Sequence, residues 1–251
     1  MLFSSITKPK RIFPLILLLL CGCGEVRDGN VSETVQNISE QAQNISEQAQ
    51  KTESAETAEI SAVRNDGVLM FGFTADEFVN SFNTVYSDEY GEDYLTPVSQ
   101  WNCYEACSPL GDNDGMAYCF TEDREILSMP NITLFTDDNG GVYEIMATFD
   151  DHGYQDWLNK KFGIISMNMI ETVLPDMADT EAFYRELYAL AGTNFYGDEY
   201  KFPPSDFYRS EDVGLYSYYG GGTINICAVP ADDELISEIS QAGTVVHEIT
   251  V

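Results

Sequence analysis

Apolar positions along the chain fall into four different patterns. Ile12 to Leu20 is an apolar run broken only by Pro14 and preceded by Lys8, Lys10 and Arg11. It is too short to cross a bilayer as a helix, which takes roughly 20 residues, and it has the length of a signal h-region, about 7–15 residues. Residues 24–65 hold no aromatic side chain. Within them Asn37-Ile-Ser-Glu-Gln-Ala-Gln43 repeats as Asn44-Ile-Ser-Glu-Gln-Ala-Gln50, and Val31, Val35, Ile38, Ala42, Ile45 and Ala49 alternate in steps of four and three. That is an a/d heptad pattern. With fewer than three full heptads and two Ala among the six positions, it predicts a spacer, disordered or partly helical, rather than a stable stalk.

From Asp66 onward aromatic residues appear, and the period switches between that of helix and that of strand. Thr74-Ala-Asp-Glu77 has the form of a capping box, and Phe78, Phe82 and Val85 follow it at helical spacing, so a helix is expected over 75–86. Trp157, Leu158, Phe162, Ile165, Met169, Ile170 and Val173 predict a second helix over 153–174, closed by Pro175. Phe183, Leu187 and Leu190 predict a third over 180–191, with Gly192 at its end. Met116 to Thr121 suits a strand. Asn131 to Phe149 reads as a hairpin about Asp137-Asp-Asn-Gly-Gly141, with Tyr143, Ile145, Ala147 and Phe149 set on one face and Val142, Glu144, Met146 and Thr148 on the other. Leu215 to Val229 reads as another hairpin about Gly220-Gly-Gly222, followed by a short helix at 233–240 and a last strand in 243–251. The order predicts a single α+β domain over 66–251, with antiparallel hairpins and the helices packed on one face of the sheet.

The end of the first apolar run is Leu20-Cys21-Gly22-Cys23. It resembles the lipobox of bacterial lipoproteins: Leu at −3, a small residue at −2, Gly at −1, then cysteine. The resemblance covers residues 1–23. It implies that residues 1–22 are a cleaved signal peptide and that Cys23 carries a diacylglycerol as the new N-terminus. Two acyl chains hold a protein on a membrane where one does not. The implied location is the extracytoplasmic face of a bacterial membrane, with 23–65 as tether.

Charge narrows the partners. The chain carries 42 acidic and 12 basic residues, formal net charge −30, and from residue 66 onward the split is 34 to 6. Phosphate neutralisation needs clustered Lys and Arg, so nucleic acid is excluded as a partner. A protein or an envelope glycan fits better. Two stretches mix aromatics with acids outside regular periodicity, 86–94 and 194–208, and mark Tyr86, Tyr90, Tyr94, Phe195, Tyr196, Tyr200, Phe207 and Tyr208 as candidate binding residues.

Catalytic signals are absent. There is no Gly-x-Ser-x-Gly elbow, phosphate-binding Gly loop or His-Glu-x-x-His, and nothing that calls for a cofactor or a metal. His152 and His247 read as structural or surface residues. Asp112-Asn-Asp-Gly115 and Asp137-Asp-Asn-Gly140 lack the full calcium-loop spacing and read as turns. Cys103, Cys107, Cys119 and Cys227 allow two disulfides in three pairings; the alternatives are four thiols or a metal site. The expected function is non-enzymatic binding, with a carboxylate-dependent glycan hydrolase as the other reading.

The anchor has a direct test. Cys23→Ser should leave uncleaved precursor and abolish labelling by a fatty-acid analogue, while Cys21→Ser should do neither.

Overall fold

The computed structural model describes residues 60–65, 67–107, 114–122, 131–150, 156–193, 203–220 and 222–249. The lipobox, Cys23 and the heptad stretch lie outside them. Among the described residues the elements are β1 Ala62–Asn65, β2 Val68–Phe71, α1 Ala75–Tyr90, β3 Asn102–Cys107, β4 Asp114–Thr121, β5 Asn131–Thr136, β6 Val142–Asp150, α2 Asp156–Val173, α3 Thr180–Thr193, β7 Asp206–Ser210, β8 Val213–Gly220, β9 Thr223–Pro230, α4 Asp233–Gln241 and β10 Val245–Glu248.

β1 and β2 pair antiparallel as a sheet of their own, while the other strands form one sheet in the order β10-β7-β8-β9-β6-β5-β4-β3. Only β10 with β7 is parallel; the remaining pairings in this sheet are antiparallel. The fold therefore begins before Asp66. The lack of aromatics groups Ala62–Asn65 with the tether, yet these residues lie in register with β2.

Both sides of the sheet are apolar at its centre. Leu215, Ile224, Ile226, Ala228, Ile145, Ala147, Phe149, Ile132 and Leu134 join one cluster with Phe78 and Phe82 of α1, Phe162, Ile165 and Met169 of α2, and Phe183 and Leu187 of α3. The alternate residues Phe207, Tyr216, Tyr218, Cys227 and Val229 join a second cluster with Ile239 of α4, against which Leu235 and Ile236 pack. Neighbouring residues of a strand point to opposite sides, so α4 lies across the sheet from the other three helices. The expectation that all helices share one face fails at α4. Nine residues with three apolar positions near each other say that the helix is amphipathic, not which side it covers.

A third cluster, Met70, Ala117, Phe135 and Tyr143, lies under β2, which packs over β6 and β9. Strict alternation puts Tyr143 on the side of Ile145. The register shifts between Phe135↔Glu144 and Thr136↔Val142, leaving Tyr143 as the extra residue of a β-bulge. One extra residue reverses the alternation, so Val142 joins the helix-side cluster and Tyr143 goes to the other side.

Ion pairs tie the outer layer to the sheet's second side. Arg64 of β1 donates to Asp232 from Nε (2.6 Å) and Nη2 (3.0 Å), and Asp232 also caps α4, accepting from Leu235 N at 2.9 Å. The hydrogen bonds from Arg64 hold the Asp232 carboxyl below its usual pKa. Arg209 of β7 reaches Asp233 at 2.9 Å.

Close strand approach sets one strict requirement for glycine. A Cβ at Gly115 would stand 2.2 Å from the Thr136 carbonyl oxygen and 2.9 Å from the Tyr143 hydroxyl. The first neighbour is backbone and cannot rotate away. Gly115→Ala should destabilise the fold by roughly 1–3 kcal/mol, the usual cost of overpacking. Calorimetric melting checks this; an unchanged Tm would mean that β4 and β5 are less closely paired than described here.

Candidate functional site

The candidate binding surface lies at the end of α1. The helix starts as its sequence predicts: Glu77 N donates to Thr74 Oγ1 (3.3 Å) and Thr74 N donates to Glu77 Oε2 (2.7 Å). It runs four residues past the predicted end at 86, to Tyr90, and Gly91 caps it with φ 80°. That left-handed geometry suits glycine. The chain then folds back. Asn83 Oδ1 accepts from Tyr94 N (3.1 Å) and Leu95 N (2.8 Å), and Asn83 Nδ2 donates to Leu95 O (2.8 Å).

This fold-back brings Tyr94 onto the helix tyrosines. Ring centroids of Tyr86 and Tyr90 are 4.5 Å apart, and those of Tyr86 and Tyr94 are 5.1 Å apart. Underneath, Tyr94 meets Phe120 edge-on at 5.4 Å and Phe120 meets Trp101 at 5.5 Å. Tyr86 and Tyr94 are half-buried and Tyr90 is 40% exposed. Sequence reasoning placed these three in an irregular stretch. The structure brings all three together, two of them on the helix.

Carboxylates surround the rings. Asp88 and Glu89 sit in the last turn of α1, where there is no basic residue, and Glu92 and Asp93 follow it. Helix C-termini already carry partial negative charge, so acids there add to it. Tyr94 Oη donates to Glu122 Oε2 at 3.4 Å. Lys161 pairs with Glu122 and holds its ammonium 5.6 Å from the Tyr94 ring centre. The phenols register this environment. Burial, then Glu89, pushes Tyr90 up to about 12. Burial first and then Glu122 raise Tyr86 and Tyr94.

The remaining candidates of the acid-aromatic stretches do not join this surface. Phe207 and Tyr208 lie in β7, not in a loop. Phe207 is fully buried beside Tyr216, and Tyr208 is buried against Phe183 with its hydroxyl donating to Glu186 Oε1 at 2.8 Å. The prolines before them and the acids around them hid a strand whose two rings point into opposite core layers. Phe195, Tyr196 and Tyr200 lie outside the described residues.

Cys103, Cys119 and Cys227 are free thiols, and the side chain of Cys107 is outside the described set. Cys103 faces Tyr118 and Cys119 faces Asn102 across the same ladder. The two cysteines therefore stand in adjacent register positions on opposite sides of the sheet and cannot pair with each other. Cys227 is sealed in the second cluster, and burial pushes its thiol up. Beside it Glu144, with no exposed surface, accepts from Tyr216 Oη at 2.9 Å. This buried group of acid, phenol and thiol gave no sequence signal beyond Glu144's place in the alternation, and it has no access to a substrate.

The other candidate chemistry resolves into structure. Asp137 Oδ1 accepts from Asn139 N (3.0 Å) and Gly141 N (2.7 Å), so this carboxylate closes its own turn. Asp112 and His152 lie outside the described residues. His247 Nε2 is 3.0 Å from Asp206 Oδ1, and its ring stacks on Tyr208. Among the described residues no group of three or more His, Cys, Asp or Glu could hold a metal ion.

A concavity of about 590 Å³ lies between α2 and α3 and is lined by Lys160, Ile164, Met167, Tyr184, Arg185 and Tyr188. It escaped sequence reading because it depends on which sides of two helices face each other. No protein-family model, curated protein or solved structure matches the chain.

The raised phenols make stability pH-dependent with a definite sign. A tyrosine whose pKa is higher folded than unfolded stabilises the fold below its unfolded value, near 10, and loses that contribution as pH rises through the folded value. For Tyr90 the window runs from about 10 to about 12. Melting temperature should therefore fall between pH 9 and pH 11, and Tyr90→Phe should make the fall shallower. A slope identical to wild type would remove Tyr90 from this account.

Proposed function

We propose that the protein is a bacterial envelope lipoprotein, cut before Cys23 and held by the lipid on that cysteine, whose α+β domain acts by binding. In this reading its partner is a protein that offers a cationic segment to the Tyr86–Tyr90–Tyr94 surface. One observation carries the proposal: three tyrosine rings within 4.5–5.1 Å of their neighbours are left partly open inside a rim of carboxylates. Aromatic faces attract Lys and Arg side chains, by about 0.5–1 kcal/mol at exposed sites and more when water is excluded. Carboxylates around the rings add attraction at longer range.

The charge of the whole domain supports the same reading. With 34 acidic residues against 6 from residue 66 onward, encounter with a basic partner is steered and encounter with an anionic surface is opposed. Attachment to an anionic membrane then falls to the lipid alone. Glycan hydrolysis would need an open pair of carboxylates about 5–9.5 Å apart. Among the described residues the carboxylate buried deepest, Glu144, is sealed, and the α2–α3 concavity is lined by a single acid, Glu181.

The test is titration with a hexalysine peptide in 0.15 M salt, where attraction beyond about 8 Å is screened. Tyr90→Leu keeps the apolar contact and the net charge while removing the aromatic face. It should weaken binding about two- to fivefold, matching one exposed cation–ring contact. Asp138→Asn, which removes a charge elsewhere, should change it less. If Tyr90→Leu binds hexalysine as wild type does, the tyrosine surface is not the recognition site.

A further inference from the structure

α2 is apolar on more sides than its own core needs. Phe162, Ile165, Met169, Ile170 and Val173 enter the helix-side cluster, yet Ile164 and Met167 belong to none of the three clusters and remain half-buried. They face α3, where Tyr184 and Tyr188 complete an apolar wall. The floor is Gly163, where a Cβ would stand 3.3 Å from the Tyr184 ring and hydroxyl. The glycine thus lets that ring lie close against α2. The resulting space, about 590 Å³, is in the range that small-molecule sites occupy, about 300–1,000 Å³.

The electrostatics here run against the rest of the domain. Among the described residues, Lys160 and Arg185 line the groove with one acid, Glu181, in a domain where acids outnumber bases 34 to 6. The other described bases are committed elsewhere: Arg64 to Asp232 and Glu234, Lys161 to Glu122, Arg209 to Asp233. Arg185 does pair with Glu181, but within one helix and with both side chains mostly exposed (73% and 62%). Such pairs are weak and exchange readily for another anion.

We propose that this groove binds a free fatty acid of medium chain length. Its carboxylate sits between Lys160 and Arg185, and its chain lies over Ile164 and Met167 between the two tyrosines. Residues 160 and 167 are about 10 Å apart along the helix, which sets the length of chain the wall can cover. Met167 is the adaptable part of that wall, since an unbranched thioether fits chains of differing shape. The site is independent of the tyrosine surface at the end of α1, which selects the opposite charge.

The experiment uses residues 23–251 carrying Cys23→Ser, so that the protein's own lipid does not compete. Decanoate and decyltrimethylammonium are titrated below their micelle concentrations, and the Met167 methyl resonance is followed. Decanoate should shift that resonance saturably with one site per chain, and decyltrimethylammonium should be at least about tenfold weaker there, the scale of a lost charge-assisted contact. The Lys160→Glu/Arg185→Glu double variant should lose decanoate binding by at least about tenfold as well, with melting as the control for folding. Lys160→Gln, which reverses no charge, should give a smaller loss in the same direction. Equal response to both amphiphiles, undiminished decanoate binding in the double variant, or a shift that never saturates would each overturn the proposal.

Discussion

The structure depends on the central strands being apolar on both sides. From Ile224 to Ala231 every residue of β9 and its exit is buried, and successive side chains enter different clusters. A sheet of this kind must be covered twice. Three helices do so on one side, and on the other the β1–β2 pair and α4 share the task. The second cover is thin, built from strands of four residues and a helix of nine. This explains why it is fastened by ions. Arg64 grips the residue that caps α4, joining the two covering pieces to each other by a two-pronged contact instead of by a large apolar interface. Inside that thinner layer lie the group of Glu144, Tyr216 and Cys227, and the bulge at Tyr143.

The same architecture determines which surfaces remain open to solvent. α1 is long enough to extend past the core, and its last turn carries Tyr86 and Tyr90 into solvent contact. Asn83 then returns the chain so that Tyr94 completes the group. A helix end chosen for stability alone would carry Lys or Arg beside its carbonyls. This one carries Asp88 and Glu89. The local arrangement is unfavourable to the isolated domain and favourable to a cation that arrives from outside. α2 separates this surface from the groove on its other side, and consecutive residues serve the two: Lys161 stands over Tyr94, while Lys160 lines the groove.

Legibility followed period and length. The 142–149 and 215–229 alternations and the apolar stripes of 156–173 and 180–193 were visible because each repeats several times. β1, β2, β3 and β7 were missed because four to six residues repeat too little to show a period. Register was legible only up to the bulge, since nothing in Val142-Tyr-Glu144 announces that one residue is supernumerary. Composition alone misassigned Phe207 and Tyr208: acids and prolines nearby suggested a loop, whereas burial was decided by the strand partner β8. At the tyrosine cluster, residue types were readable but their convergence was not. Asn83 reaching residues 94 and 95 leaves no local signal, and the α2–α3 groove leaves none at all.

The sheet is open, and its outermost strands are β3 and β10. Among the described residues each has one row of amides and carbonyls without a strand beside it. Tyr104 on β3 and Val245 on β10 are half exposed or more, at 51% and 55%. Bare edges of this kind invite copies of a protein to join strand to strand. β10 offers only four residues, too few for a lasting join, and β3 carries Glu105 in its middle, which would meet a like charge in a symmetric pairing. Under the lipid anchor proposed above, molecules crowded on a membrane would meet far more often than in dilute solution. The surplus of carboxylates would then act as a spacer between neighbours and keep a dense layer of these domains from growing into a continuous sheet.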